Sequence, residues 1–304
     1  MSVHKRKMQN LESERSNPAA TDEKPGAFGR DDSAYGSTNG GGTWPTATLP
    51  PASEKLIVNW EELPHWMQDN IFIHTGYRPE NFSYVKCLKS LFYLHNEWVN
   101  IWSHLLGAIG FIILLFVTYY VVFQPLSETL RWTDIAVFYA FLAGAITCLG
   151  LSASFHTYMC HSEGASAMWN RCDYVGIVCL ILGSFFPAVF YSFYCYDTLQ
   201  IVYLTGISII GAATVTVTTL KRFRTPAFRW TRTLLFLFMG LSGVIPSVHA
   251  VLLYGIKNAF ETISLGYMIA MGTFYVAGAL IYGHSMSSPL SFSGTSWVGV
   301  IPRS

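Results

Sequence analysis

Trp98-Val-Asn-Ile-Trp-Ser-His-Leu-Leu-Gly-Ala-Ile-Gly-Phe-Ile-Ile-Leu-Leu-Phe-Val-Thr-Tyr-Tyr-Val-Val-Phe123 contains no aspartate, glutamate, lysine or arginine. A helix needs about 20 mostly apolar residues to cross the hydrocarbon core of a bilayer, and this stretch is long enough. Five more charge-free intervals follow, from Ile135 to Ser162, Tyr174 to Tyr196, Thr198 to Leu220, Thr233 to Ile256 and Thr262 to Pro302. The last is apolar only as far as Tyr282. The pattern predicts an all-α, polytopic helical membrane bundle. Its six spans fall at about 100–123, 135–157, 174–195, 199–220, 233–254 and 262–283.

Composition agrees with this reading. The chain has 304 residues, of which 51% are hydrophobic and 12% charged, where soluble proteins carry about a quarter charged residues. Mean hydropathy is +0.34. The six cysteines form no CxxC pair and no Cys/His cluster at zinc-finger spacing, which argues against a structural zinc module. Most lie in or beside the spans, where free cysteine behaves as a small hydrophobe. A net charge of +1 gives no reason to expect a nucleic-acid partner.

Outside the bundle (98–283) three segments are distinguished. Residues 1–55 are rich in Ser, Gly, Pro and Asn, including Asn39-Gly40-Gly41-Gly42. Such a stretch buries too little apolar surface to offset its ordering entropy, so a disordered cytosolic tail is expected. It contains no apolar h-region of a secretory signal. Residues 56–97 mix polar and aromatic side chains, which suits either an interfacial helix at headgroup level or a small cytosolic cap. Residues 284–304 read as an irregular Ser-rich tail.

Loop charge sets the expected orientation. One set of segments near the spans holds Lys86, Lys89, Arg171, Lys221, Arg222, Arg224, Arg229 and Arg232; the other holds only Arg131 and Lys257. Cytoplasmic loops carry the excess of Lys and Arg, so the amino terminus is expected in the cytosol. Whether the membrane is the plasma membrane or an endomembrane is left open.

Two ionisable residues then bracket one hairpin between spans. Ser152-Ala-Ser-Phe-His156 closes the second span, and Cys172-Asp173-Tyr174-Val-Gly176 opens the third. Such groups are costly in lipid, and they usually face a protein interior or watery cavity. Both sit near the inner leaflet on this topology, as does His104, whereas His249 lies at the outer side. His156 is the candidate metal ligand; a helix-end histidine bonded to a carbonyl is the alternative. Ser152, four residues earlier, shares its helical face and could orient the imidazole or a bound water. Asp173 either holds such a water or caps the third helix, where an acid is favoured by the dipole. His161 is off the i, i+4 spacing and is expected in the loop. A catalytic zinc needs three protein ligands and an open position, and no second and third ligands stand out. The span glycines and Pro187 and Pro246 are expected to serve helix packing and kinking.

Glu97-Trp-Val-Asn-Ile-Trp-Ser-His-Leu-Leu-Gly107, preceded by Gly76-Tyr-Arg-Pro79, resembles the approach to the first span in the progestin and adipoQ receptor family, which includes haemolysin III-related proteins. Ser152…Phe155-His156…Cys160-His161-Ser162-Glu163, Asp173-Tyr174…Gly176, Gly183-Ser-Phe185 with Pro187, and Gly243-Val-Ile-Pro246 resemble it too. The similarity runs from about Leu63 to about Tyr282 and is closest to the adiponectin-receptor-like branch, its fungal members included. The resemblance implies a seven-span bundle with the amino terminus inside. It further implies a zinc ion near the cytosolic leaflet, held by one histidine at the end of the second span and two in the seventh. On that pattern His156 matches the first ligand, and Ser152 and Asp173 match the family's serine and water-holding aspartate. A lipid role is implied as well, as hormone- or sterol-responsive receptor or as ceramide amide hydrolase.

After Gly278-Ala-Leu-Ile-Tyr-Gly283 the chain departs from the family. His284-Ser-Met-Ser-Ser-Pro289 leads into a polar, serine-rich end in place of a seventh span with His-x-x-x-His. The expected protein is therefore a receptor-like membrane protein linked to lipid signalling, with an incomplete zinc site and with membrane lipids and a lipid or protein ligand as partners. The alternatives are a zinc-dependent ceramide-type amide hydrolase in an intact form, or a truncated product without function.

Overall fold

The computed structural model describes residues 55–68, 70, 72–224 and 228–285. The expected disordered tail therefore lies outside the described residues apart from Lys55, as does the Ser-rich end beyond Ser285. Among the described residues the fold is helical, and the strand-like pairing is one isolated bridge, Val58 with Tyr77.

A short helix, α1 (Tyr84–Lys89), is capped by Ser83, whose hydroxyl accepts the Lys86 N–H. The chain then turns into α2 (Trp98–Thr118), which continues as one π-helical turn to Phe123. The indole N–H groups of Trp98 and Trp102 both donate to the Leu91 carbonyl, at 3.1 and 3.0 Å, tying this turn to the start of the span. There follow α3 (Trp132–Tyr158), α4 (Glu163–Ser192) and α5 (Asp197–Thr219). Next come α6 (Arg229–Leu241), α7 (Val244–Tyr254), α8 (Ile256–Thr262) and α9 (Leu265–Ser285).

Five segments are long and apolar enough to cross a membrane: 98–123, 132–158, 163–192, 197–219 and 230–254. The last combines α6 and α7, which break at Ser242-Gly243. Pro246 then falls in the first turn of α7, where a missing N–H costs nothing. The sixth expected span is shorter, its apolar part covering Leu265–Ile281. Separate helix α8 and the positive φ of Ser264 (56°) interrupt the chain before it, so the span begins later than hydropathy suggests.

The largest difference concerns the third span, expected to open at Asp173. Helix α4 begins at Glu163, capped by the Ser162 hydroxyl accepting the Ala165 N–H. Arg171 and Asp173 interrupt the apolar run without interrupting the helix. The helix is 30 residues long. With a rise of about 1.5 Å per residue it reaches about 45 Å, beyond the hydrocarbon core of about 30 Å. Asp173 is thus well inside a helix, and its reading as a cap is overturned.

Helices α3 and α4 run antiparallel in close contact, and glycine sets their spacing. A Cβ on Gly144 would stand 2.6 Å from the Cys179 carbonyl oxygen, and one on Gly176 would stand 2.9 Å from the Cys148 Cα. Both neighbours are backbone and cannot turn aside. The packing role expected of the glycines holds here, but Gly110, Gly150 and Gly206 have open space around them. Two apolar clusters bind the remaining helices. Val178 and Ile181 of α4 pack with Ile207 of α5 and Met239 of α6, and Tyr275 of α9 closes over them. Val189, Phe193 and Ala250 form the other, with Tyr203, Tyr254 and Ile263 around it. Leu106, Ile113, Phe116 and Val121, on the first membrane-length helix, are exposed in the isolated chain, as befits side chains solvated by lipid tails.

Candidate functional site

The register of α3 and α4 assembles the site. Gly176 lies against Cys148; one turn back along α4 is Asp173, and one turn on along α3 is Ser152. The two face each other, with the Ser152 hydroxyl near enough to act on the Asp173 carboxylate. His156, one further turn along α3, lies close enough to Asp173 to interact electrostatically, and so does His104 of α2. The His104 and His156 rings stand edge to face, with centroids 6.2 Å apart and planes at 79°. Three helices thus contribute to one polar cluster in an otherwise apolar bundle.

The cluster includes a residue that carried no role in the sequence reading. Glu97, immediately before α2, places Oε2 2.7 Å from His156 Nδ1. The same carboxylate accepts the side-chain amides of Asn96 at 3.0 Å and Asn100 at 2.8 Å. Burial would raise this carboxyl, but the His156 hydrogen bond and charge, with help from Asn100 and Arg78, outweigh it and hold it at about 2. An ionised Glu97 accepts the hydrogen bond of Nδ1–H, and in the neutral imidazole this leaves Nε2 with its lone pair, the tautomer used by metal-ligating and proton-accepting histidines. The signal in the sequence was an acid flanked by two asparagines at the mouth of a span.

A second residue supports the site from below. Arg78 is buried and donates to the carbonyls of His156 (2.5 Å) and Thr157 (2.9 Å) and to the Ser90 hydroxyl (2.8 Å). It satisfies carbonyls that every helix end leaves open, and its charge suits the negative end of the α3 dipole. The carbonyl-bonding alternative for His156 is thereby excluded for its ring, which is engaged with Glu97. His161 lies in the turn after α3, as expected, its ring over Tyr84 at 4.2 Å. His249 belongs elsewhere, its Nδ1 2.7 Å from the Tyr203 hydroxyl.

Whether these residues suit a zinc ion is a question of convergence. The His104 Nδ1 is buried with no hydrogen-bond partner, and His156 keeps Nε2 for a ligand. Yet among the described residues no three His, Cys, Asp or Glu side chains are grouped so as to hold a metal. Beyond His161 the sequence offers only His249 and His284, so the pair that a His-x-x-x-His helix would bring is missing from it. Among the described residues the donor set does not by itself make up a three-ligand zinc centre. A separate cavity of about 810 Å³ opens between α4, α6, α7 and α9, lined by Phe185, Val189, Pro246, Met268 and Tyr275 among others. It is almost wholly apolar and excludes the polar cluster; Ser184 stands at its near edge. At the helical rise, Ser184 is about 16 Å along α4 from Asp173.

A family model described as haemolysin-III related matches residues 92–296. The chain belongs to that family. The match extends past Tyr282, where the motif resemblance stops. Adiponectin receptor protein of Drosophila melanogaster is 42% identical over 226 residues, covering 74% of this chain and 50% of the fly protein. Progestin and adipoQ receptor-like protein 1 of Caenorhabditis elegans is 37% identical, covering 74% of this chain and 51% of the worm protein. ADIPOR-like receptor IZH2 of Saccharomyces cerevisiae is 35% identical, covering 75% of this chain and 72% of the yeast protein. The chain thus spans about half the length of the two animal relatives. As a member of this haemolysin-III related family with five membrane-length helices, it is a multi-pass integral membrane protein.

Proposed function

We propose that this haemolysin-III related chain is a lipid-responsive receptor in which the cluster of His156, Asp173, Ser152, His104 and Glu97 is an incomplete form of a zinc site. The observation that carries the reading is the Glu97–His156 pair: an ionised carboxylate engages one imidazole nitrogen, while no three His, Cys, Asp or Glu side chains among the described residues are grouped to hold a metal. The apolar cavity, about 810 Å³ in volume, adds support for a lipid ligand. Small-molecule sites run from roughly 300 to roughly 1,000 Å³. The Lys/Arg bias puts the amino terminus, and with it the cluster, on the cytosolic side. The partners on this reading are membrane lipids and a lipid or protein ligand named only by relatives called receptors.

Metal analysis of the full chain in lipid nanodiscs tests it, with a ceramide-type amide lipid as binding probe. The reading expects less than one zinc per chain, and lipid binding that survives His156→Ala. One tightly held zinc per chain, lost in His156→Ala, would overturn the incomplete site. A second reading, a zinc-dependent amide hydrolase, is favoured by Ser152 and Asp173 standing where they could hold a water. It requires amide hydrolysis by the chain that His156→Ala abolishes.

A further inference from the structure

Away from the polar cluster, two cysteines meet where the segment before α2 is seated on the end of α3. Cys87 belongs to α1 and Cys160 to the turn after α3, 73 positions apart in sequence, and their sulfurs lie 3.6 Å from each other. Both are buried, at 0% and 1% exposure. Asn81 lies across the pair: its amide N–H donates to the Cys160 sulfur at 3.6 Å, and its carbonyl oxygen accepts from the Cys87 thiol at 3.4 Å. Backbone bonds from Asn81 to Cys160 and from Phe82 to His161, at 3.2 and 3.0 Å, hold the two stretches of chain in place.

This arrangement makes the thiols unequal. The Cys87 thiol has the Asn81 carbonyl oxygen as its acceptor; Cys160 accepts the Asn81 N–H, shares a contact with Cys87 in which either sulfur can donate, has the Thr157 carbonyl at 3.8 Å, and lies near the Arg78 guanidinium. The Cys87 hydrogen bond and, against burial, the Arg78 charge draw the Cys160 thiol below its ordinary range. Cys87 is pushed up, chiefly by its hydrogen bond to Cys160 and by burial. The thiol that gives up its proton more readily therefore faces one that holds its proton and can resolve it, the pattern of redox-reactive pairs.

We propose that Cys87 and Cys160 are an oxidation site, in which a small peroxide converts the dithiol to a disulfide that staples α1 to the end of α3. The Cys160 thiolate attacks one peroxide oxygen; an S–O bond forms, the O–O bond breaks, and hydroxide leaves to take a proton from solvent. Sulfur has then lost two electrons and the peroxide has gained them. The Cys87 sulfur next attacks Cys160 Sγ, its proton passes to the departing hydroxyl, the S–O bond breaks and water leaves. The balance is two thiols and one hydrogen peroxide to one disulfide and two waters. The sulfurs start 3.6 Å apart. They need approach by only about 1.6 Å to reach a disulfide bond of about 2.05 Å. Burial selects the oxidant by size: hydrogen peroxide scarcely exceeds water, whereas glutathione disulfide cannot enter without opening the segment. The staple closes the same seat through which Arg78 holds the His156 carbonyl, so oxidation fixes the floor of the polar cluster.

The experiment is peptide mapping of the full chain in nanodiscs after hydrogen peroxide, without reductant. A Cys87–Cys160 linked peptide is expected, with denatured thiols falling from the six free cysteines to four. Cys87→Ser should leave Cys160 as a sulfenic acid that dimedone traps; if that variant fails to fold, the wild-type map decides alone. Three results would overturn the proposal: both thiols still free after treatment, Cys160 carried to the sulfinic acid without a link, or glutathione disulfide forming the link as fast as peroxide. The exposed Cys195 serves as the internal control for bulky reagents.

Discussion

Glu97 Oε2 stands 2.7 Å from His156 Nδ1, joining the mouth of the first span to the end of the second. Fifty-nine positions separate the two in sequence. The contact decides which imidazole nitrogen is available, and it makes Glu97 a positioning residue for whatever His156 binds. Glu97→Ala removes three hydrogen-bonded partners from one carboxylate and leaves the Nδ1 proton unmatched. Breaking such a partly buried pair costs about 1–3 kcal/mol. A thermal melt in detergent should show that loss, with Glu97→Gln recovering part of it through its remaining oxygen. Equal melting of all three proteins would exclude the pairing.

Arg78 offers a second test. Its guanidinium spans two carbonyls and a hydroxyl at the end of α3, a fork geometry that an ammonium cannot reproduce. Arg78→Lys should therefore be destabilised nearly as much as Arg78→Ala, by about 2–4 kcal/mol. Limited proteolysis between α1 and α2 should accelerate in both. Full rescue by lysine would show that charge alone is what the helix end requires.

Glycine substitutions separate spacing from composition. Gly176→Ala sets a methyl against the Cys148 backbone, so α3 and α4 must part and Ser152 must draw away from Asp173. Overpacking of this kind costs about 1–3 kcal/mol. Gly150→Ala, on the same helix pair, has nothing within 4 Å of the new Cβ. That variant should be neutral or slightly stabilising through helix propensity. The comparison is read from paired melts, and equal losses in the two variants would refute the register argument.

Acid sensitivity should have an identifiable source in His95. Burial first, and then the Arg78 charge, push this histidine down to about 3. The unfolded chain takes up the proton near the ordinary histidine value of about 6.5, whereas the folded one resists until about 3. In that window the unfolded state binds more protons, so stability falls as pH falls, by as much as ~1.4 kcal/mol per pH unit from this group. His95→Gln should flatten the slope across that window. An unchanged slope would assign the acid sensitivity to other groups.

The five membrane-length spans, and the two ionisable residues bracketing the second and third, were legible because they follow from local rules. Lipid admits only long charge-free helices, and ionisable side chains inside them draw attention by their cost. Glu97 and Arg78 escaped for the opposite reason. They stand just outside the charge-free intervals, where charged residues are ordinary, and nothing in their spacing says that one will reach His156 and the other its carbonyl. The start of α4 was misplaced because hydropathy marks where lipid begins, whereas a helix ends where its backbone loses partners; Ser162 supplies the cap that moved it to Glu163.

By itself the sequence determined a helical membrane bundle and the chemical types near its charged end, since burial in lipid is a property of composition along the chain. Only the tertiary structure decided which of those groups touch. Backbone contact at Gly144 and Gly176 sets the register that brings Ser152 to Asp173, and the fold of the segment before α2 delivers Glu97, Arg78 and Cys87 to the end of α3. Such contacts join residues far apart in sequence, and they depend on distances of a few tenths of an ångström that no local pattern encodes.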